Sequence, residues 1–357
     1  MPRQSVSPAR LSGQRRGDWL CGSVGRLAWL ALLASLVPYA QGLWWALELP
    51  GHFRMQLSGC LALAAMAMLW CRRVPTGAVL AAAAVFNAWQ WAPLYLPDAT
   101  PGMAAATTGG AQAASGVGAA VRVEPATKAA SGSHASFRLV TFNVNAQTGK
   151  PAAVRAYLAR EDFDLVVLQE YARPMAQALS KLEYPFKVER PRSDNFGIAV
   201  FSRLPITDAE VLVLDAAGVP SIRAELSIAG RPLRLLATHP LPPVSADHRA
   251  SRDRQLAALA HALPLAGAVV LAGDLNSTPW SPQVRRLRQE SGLLDSARGF
   301  GVQPTWPSLF PPLWIPIDHV LHSAELVVTQ RATGPACGSD HFPVEVTLAF
   351  RDARSEP

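Results

Sequence analysis

The chain has 357 residues, half of them hydrophobic, with ten Trp and a formal net charge of +7. Its length has room for about two domains, and its charge is unevenly divided: residues 1–136 hold ten of the 33 basic and four of the 26 acidic residues, leaving only +1 on residues 137–357. The basic character therefore belongs to the N-terminal part and gives no support for a nucleic-acid footprint on the rest, while four scattered cysteines exclude a disulfide scaffold or a zinc-binding spacing.

The first elements in chain order are apolar. Residues 28–47, 55–71 and 78–96 contain no Asp, Glu, Lys or Arg. Each run comes near the roughly 20 residues that cross a bilayer as a helix, so three transmembrane helices are expected near 27–47, 55–71 and 78–96. The alternative is burial in a soluble core. Trp44, Trp45, Trp89, Trp91 and Tyr95 lie near span ends, where amphipathic rings favour the headgroup level. Arg3, Arg10, Arg15, Arg16 and Arg26 precede the first span, Arg54 lies in the first loop, and Arg72 with Arg73 in the second. By the positive-inside rule the N-terminus and the second loop face the cytoplasm, and everything after the third span lies on the extracytoplasmic, periplasmic side of the cell (inner) membrane. The first span could also be a signal sequence, although Val37-Pro38-Tyr39-Ala40 is a poor cleavage site.

Residues 98–136 are rich in Ala, Gly, Ser and Thr without apolar periodicity. They read as a flexible linker with a reach of roughly 30–40 Å, leaving the following domain near the bilayer without holding it rigidly there.

From residue 137 to 357 the pattern is that of a globular α/β domain. Short β-rich runs fall at Phe137–Val144, Leu165–Leu168, Phe196–Phe201, Ala209–Leu214, Ser221–Ile228, Leu233–Ala237, Ala268–Leu271, Ile317–Leu321, Leu326–Thr329 and Val344–Phe350. A helix is expected over Asp247–Leu263, with Leu256 and Leu259 facing inward and Arg249, Arg252 and Arg254 outward. About ten strands are too many for one small open sheet, and two packed sheets with helices outside fit better.

Polar residues collect where these runs end. Asn143 closes Val-Thr-Phe-Asn, Glu170 follows Leu-Val-Val-Leu-Gln, and Asp274 and Asn276 follow Val-Val-Leu-Ala-Gly. Asp318 and His319 interrupt Ile-Pro-Ile-Asp-His-Val, and Asp340 with His341 precede the last run. A carboxylate straight after a buried strand is costly unless it is paired or holds a metal; taken singly, each could be an ordinary turn residue. His134, His248, His261, His319 and His322 belong to no such cluster and read as structural. The same holds for Cys337, a small packed residue. Arg190 with Arg192, and Arg285, Arg286 and Arg288, are either solvated faces or phosphate contacts.

In this order the strings TFNVN (141–145), LQE (168–170), FGIAVFSRLPI (196–206), ATH (237–239), GDLNSTP (273–279), PTWP (304–307), IDHV (317–320) and GSDHFPV (338–344) resemble the endonuclease/exonuclease/phosphatase superfamily, the DNase I-like group. The resemblance covers nearly all of 137–350 and nothing before it. It implies a four-layer α/β/β/α sandwich and a metal-dependent hydrolase of phosphate esters. By the same resemblance Glu170, supported by Asn143 and Asp340, would hold Mg²⁺ or Mn²⁺. Asp274 and Asn276 would orient or activate the attacking water, and His239 would donate to the phosphate. His341 would be the catalytic histidine with Asp318 holding its ring; which of Asp274 and His341 takes the proton stays open. Trp306, beside Thr305, would either contact substrate at the rim or pack a loop.

The expected function is thus a membrane-anchored phosphoesterase working by in-line attack of water, a nuclease being one form of it. The alternatives are a lipid or small-molecule phosphodiesterase of sphingomyelinase type and a catalytically silent tethered domain. The partners expected are a phosphate-ester substrate (nucleic acid or lipid headgroup) and the lipid bilayer, with no protein partner.

Overall fold

A computed structural model describes residues 23–97, 136–262 and 267–351. The linker expected at 98–136 thus falls outside the described residues apart from Ser136, which opens the first strand.

The N-terminal part is helical. Helix α1 (residues 23–36) runs into a 3-10 turn at Val37–Ala40. A longer 3-10 segment, Trp45–Phe53, leads into α2 (Arg54–Trp70), and α3 (Val74–Trp91) folds back beside it. Pro75 sits in the first turn of α3, where a missing N–H costs nothing. Leu61, Ala65 and Met68 of α2 pack on Leu80 and Ala84 of α3 and on Ala28 of α1. Small residues allow that approach, since a Cβ on Gly77 would lie 2.8 Å from the Leu69 side chain. The outward side chains are apolar as well: Trp70 is 90% exposed, and Leu27, Leu63 and Val85 also point out. A unit that is apolar on its outside suits lipid rather than water.

Among the described residues two helical stretches, not the three expected, are long and apolar enough to cross a membrane: Ser23–Ala40 and Trp45–Trp70. The first ends earlier than 47 because the chain turns after Pro38. The run at 78–96 is less apolar than its lack of charge suggested, since α3 carries Asn87 and Gln90. Asn87 is buried and polar-paired: its Oδ1 accepts from Arg54 (2.9 Å) and its Nδ2 donates to Ser35 Oγ (3.0 Å). A further correction concerns Cys71, which is disulfide-bonded, whereas Cys60 and Cys337 are free. Position along the chain was the only criterion the sequence offered, and helix packing overrides it.

The rest forms the expected two-sheet α/β fold. One sheet has the order β11-β12-β1-β2-β4-β3, from β1 (Ser136–Asn143), β2 (Leu165–Gln169), β3 (Phe186–Arg190), β4 (Ile198–Ser202), β11 (Leu326–Thr333) and β12 (Val344–Phe350). The other has the order β5-β6-β7-β8-β10-β9, from β5 (Ile206–Val213), β6 (Pro220–Ile228), β7 (Arg231–Ala237), β8 (Ala268–Asp274), β9 (Leu294–Asp295) and β10 (Asp318–His322). Leu139, Leu165, Val200 and Leu348 from the first sheet meet Ile222, Leu235, Val270 and Val320 from the second in one core. The opposite face of the first sheet is covered by α4 (Pro151–Glu161) and α5 (Arg173–Leu179) through Val154, Leu158, Met175 and Leu179. That of the second is covered by α6 (Ala246–Ala262) and α7 (Pro282–Ser291) through Leu256, Leu259, Val284 and Leu287. With both faces of β2 and β8 covered, those strands read as unbroken apolar runs, as Leu165–Leu168 and Ala268–Leu271 do.

Each sheet contains one parallel pair, β1 with β2 and β7 with β8, so the C-terminal ends of the paired strands lie side by side. Polar residues follow directly: Asn143 and Glu170 on one sheet, His239 and Asp274 on the other. The antiparallel pairing of β8 with β10 sets Asp274 opposite Asp318.

The N-terminal unit is packed against this domain rather than loosely tethered to it. Arg252 of α6, expected to face outward, is fully buried and grips Glu48 with two hydrogen bonds of 2.7 and 3.1 Å. Arg249 Nε lies 2.9 Å from the same carboxylate. Trp280 donates from its indole to the Gly51 carbonyl (2.9 Å), Gln56 to that of Trp314 (2.8 Å), and the Gly299 and Gly301 amides to that of Leu94 (2.8 and 3.0 Å). The helical period gave α6 but set Arg252 on the wrong, outward face, because its partner Glu48 lies 204 positions earlier.

Candidate active site

Asp274 is at the centre. Before it in β8 comes Gly273, at φ 152°, where a Cβ would lie 1.9 Å from the Thr238 carbonyl oxygen. Only glycine lets the two parallel strands approach there, which carries Asp274 alongside His239. Asp274 Oδ2 accepts from Asn143 Nδ2 (3.1 Å) and lies 3.5 Å from His239 Nε2 and 3.8 Å from His341 Nε2. Its Oδ1 accepts from the Asn276 amide (2.8 Å). On the far side of His341, Nδ1 meets Asp318 Oδ2 at 2.8 Å. Thr305 Oγ1 accepts from the Ile317 and Asp318 amides (3.0 and 3.2 Å) and fixes that strand entrance.

These groups are buried, and their protonation follows from burial and neighbours. Burial, with Asp318 nearby, pushes the Asp274 carboxyl up to about 7. Burial pushes His239 down to about 4, so its imidazole is neutral at neutral pH. Burial works against charge on His341 too, but Asp318 and Asp274 outweigh it and raise the ring to about 10, while the same partner holds Asp318 low. His341 is therefore an imidazolium between two carboxylates.

Glu170 and Asp340 stand at the more open edge. Glu170 accepts from Asn143 Nδ2 (3.1 Å) and the Ala146 amide (3.0 Å). Asp340 accepts from Asn145 Nδ2 (2.7 Å) and the Trp306 indole (3.1 Å). Glu170, Asp274 and Asp340, with His239, Asn276, Trp306 and His341, line one cavity of about 520 Å³, and Asp318 stands behind His341. No Lys or Arg lines it among the described residues. An anionic ester entering a cavity where Glu170, Asp274 and Asp340 face one imidazolium needs further counter-charge, and carboxylate and amide oxygens suit a hard divalent ion. Two donor sets are available: Glu170 with Asp340, Asn143 and Asn145, or the cluster of Asp274, Asp318 and His341. The first fits better, because the ring of His341 already bridges the two carboxylates of the second.

Residues 140–341, more than half of the chain, match the family described as Endonuclease/Exonuclease/phosphatase. The chain belongs to that family. Among solved structures, humanized D. rerio TDP2 matches with 19% identity and a TM-score of 0.51 over 60% of this chain and 99% of its own. A protein described as functionally unknown from Enterococcus faecalis matches with 18% identity and 0.51 over 60% and 100%. D. rerio TDP2 complexed with single strand DNA product gives 20% identity and 0.51 over 60% and 98%. At such identities the likeness is one of fold. No protein of curated function matches the chain.

Every residue assigned from the family strings lies in or directly behind this cavity. His319 does not: its Nε2 is 2.7 Å from the Ser277 carbonyl oxygen, away from the cavity. Arg192 is paired with Asp194 and Arg286 with Glu290, and none of the arginines weighed as phosphate contacts reaches the cavity wall. Burial pushes the Cys337 thiol up to about 11, which suits its packed position. His134 lies outside the described residues.

Several site residues were missed. Asn145 stood inside the family string TFNVN yet was given no role, and Phe196, whose ring centroid lies 5.6 Å from that of His239, opened another. Trp45, Leu49, His52 and Phe53 also line the cavity, from the N-terminal unit. No motif marks them, because their partners are more than a hundred positions away.

Proposed function

We propose that the chain is a membrane-anchored, divalent-metal-dependent phosphoesterase in which water attacks phosphorus in line, without a covalent intermediate. The observation that carries this reading is the buried Asp274, flanked by neutral His239 and by the Asp318-held imidazolium of His341, at the floor of a cavity edged by Glu170 and Asp340. The residue roles follow from those positions. His341 already holds its proton and serves as a fixed positive charge for the phosphoryl oxygens, so Asp274 is the group able to take a proton from water. Asn276, whose amide donates to Asp274 Oδ1, helps fix that carboxylate, and neutral His239 donates to the ester. Glu170 and Asp340, with Asn143 and Asn145, would hold Mg²⁺ or Mn²⁺, which when bound neutralises phosphate oxygens and stabilises the leaving alkoxide. Trp306, through Asp340, orients one of those carboxylates and faces the substrate. We take the helix, sheet, sheet, helix order of the three cores as the family's four-layer sandwich. Although D. rerio TDP2 was solved with a DNA product, a cavity wall without Lys or Arg gives no support for carrying nucleic acid over to this chain.

The test uses the full chain in detergent with a generic phosphodiester. Removing divalent ions with EDTA is expected to lower turnover on the order of 10³-fold, and restoring Mg²⁺ to recover it. Glu170→Ala is expected to resist that recovery. Turnover indifferent to both would sink the metal reading, and no turnover of any phosphate ester would favour a silent domain.

The anchor in this reading is the apolar helical unit, with α3 crossing beside the two more apolar stretches; the arginines before α1 and at the tip of the α2–α3 hairpin then face the cytoplasm and the phosphoesterase domain faces the periplasm. The Cys71 disulfide at that tip pulls the other way, because cytoplasmic thiols stay reduced. A reporter active only outside the cytoplasm, fused after Phe350, is expected to report activity; a silent fusion with an active cytoplasmic counterpart would reverse the orientation.

A further inference from the structure

We infer that residues 45–53 of the N-terminal unit are a substrate-selecting wall of the catalytic cavity, and that the ester they select carries a long apolar chain. This deepens the phosphoesterase reading and rests on it.

The cavity is lined by two unlike sets of residues. Its polar lining includes Glu170, Asp274, Asp340, His52, His239 and His341; its apolar lining includes Trp45, Leu49 and Phe53 together with Val244, Ile315 and Ile317. The apolar lining is therefore shared between the catalytic domain and the segment that leads into α2. That segment is firmly seated rather than draped: Glu48 is buried between Arg249 and Arg252, the Trp280 indole holds the Gly51 carbonyl, and His52 Nδ1 lies 3.3 Å from Thr278 Oγ1. Trp45, Leu49 and Phe53, carried on one 3-10 segment, are thus held at fixed positions facing the chemistry.

The surroundings point the same way. Leu43 and Trp44 before the wall, Val244 in it, and Leu309 and Phe310 near Trp306 are exposed apolar residues, with Leu43 and Leu309 more than 80% exposed. The wall continues into α2, part of a stretch long and apolar enough to enter a bilayer. An ester drawn from lipid would reach the carboxylates and histidines with its headgroup while its chain stays on apolar surface throughout. A nucleic acid would meet neither basic side chains nor a polar groove there.

The experiment uses the full chain in detergent, with Mg²⁺, on p-nitrophenyl phosphodiesters of ethanol, butanol, hexanol and octanol. Burial of each added methylene is expected to raise kcat/KM about threefold until the wall is filled, mainly through KM. Leu49→Ala and Trp45→Ala are expected to flatten the series, lowering the ratio of octyl to ethyl ester by about tenfold or more. That ratio is taken within each protein, so a variant that folds poorly still reports it. In a second arm, the chain reconstituted with phosphatidylglycerol vesicles is expected to hydrolyse the lipid faster than a single-stranded oligonucleotide at equal phosphate. A flat alkyl series in the wild-type chain, or an oligonucleotide preferred over the octyl ester, overturns the inference while leaving the phosphoesterase reading standing. No p-nitrophenolate from any ester overturns both.

Discussion

Asp274→Asn is expected to lower kcat on a small phosphodiester by about 10²–10⁴-fold, the range associated with removing a positioned general base, with little change in KM. The substitution keeps the shape of the side chain and one oxygen to accept from the Asn276 amide, so the strand end stays in place. What it removes is the negative charge that faces His239 at 3.5 Å and His341 at 3.8 Å. Without it only a weak base is left at the cavity floor, the neutral ring of His239, which burial pushes down to about 4, because His341 is already protonated and Asp318 is turned to that ring. Steady-state kinetics beside a thermal melt decide the matter. A variant with wild-type stability and kcat within about threefold of wild type would remove Asp274 from the chemistry and return the role of base to His341.

The second large effect concerns stability. Glu48→Ala leaves Arg252 fully buried with only the half-exposed Asp253 beside it, and removes the nearer of the two carboxylates that face Arg249. Breaking a buried pair from one side costs about 3–5 kcal/mol, because the remaining charge stays out of water. In a unit of this size that corresponds to a midpoint of thermal unfolding roughly 10 °C lower. Replacing both partners, as in Glu48→Leu with Arg252→Met, is expected to recover at least half of the loss, since apolar side chains of similar volume need no counter-charge there. If Glu48→Ala melts with wild-type protein, the ion pair does not hold the junction. If the double variant falls as far as the single one, the geometry of the carboxylate matters rather than its charge.

The catalytic half of the molecule was legible because its chemistry is written locally. Asp274, Glu170 and Asn143 each follow an apolar run that is buried on both faces, and such runs announce both the strand and the place where it ends. His341 and Asp318 were readable only through the family strings, since nothing in their spacing says that a ring on one loop meets a carboxylate on another. Strand β3 was passed over because Phe-Lys-Val-Glu-Arg sits half-exposed at a sheet edge, without a clean alternation. Arg252 failed for the opposite reason: its helical period was clear, but burial of an arginine depends on a distant carboxylate. The wall at 45–53 was illegible altogether. Its residues look like the approach to a membrane span, and only the fold shows that they also face Asp274.

The junction between the N-terminal unit and the α/β domain has an evolutionary side. A boundary drawn along the chain would divide this protein at the segment after Pro97, yet Glu48 with Arg252, Gly51 with Trp280, and Leu94 with Gly299 and Gly301 pack across that divide.

 Leu94, for its part, accepts through its carbonyl from Gly299 and Gly301, as Glu48 does from Arg252 and Gly51 from Trp280. Joining this α/β domain to a different N-terminal unit would strand a buried arginine and uncover Trp280, so relatives are expected to exchange Glu48 and Arg252 together or not at all.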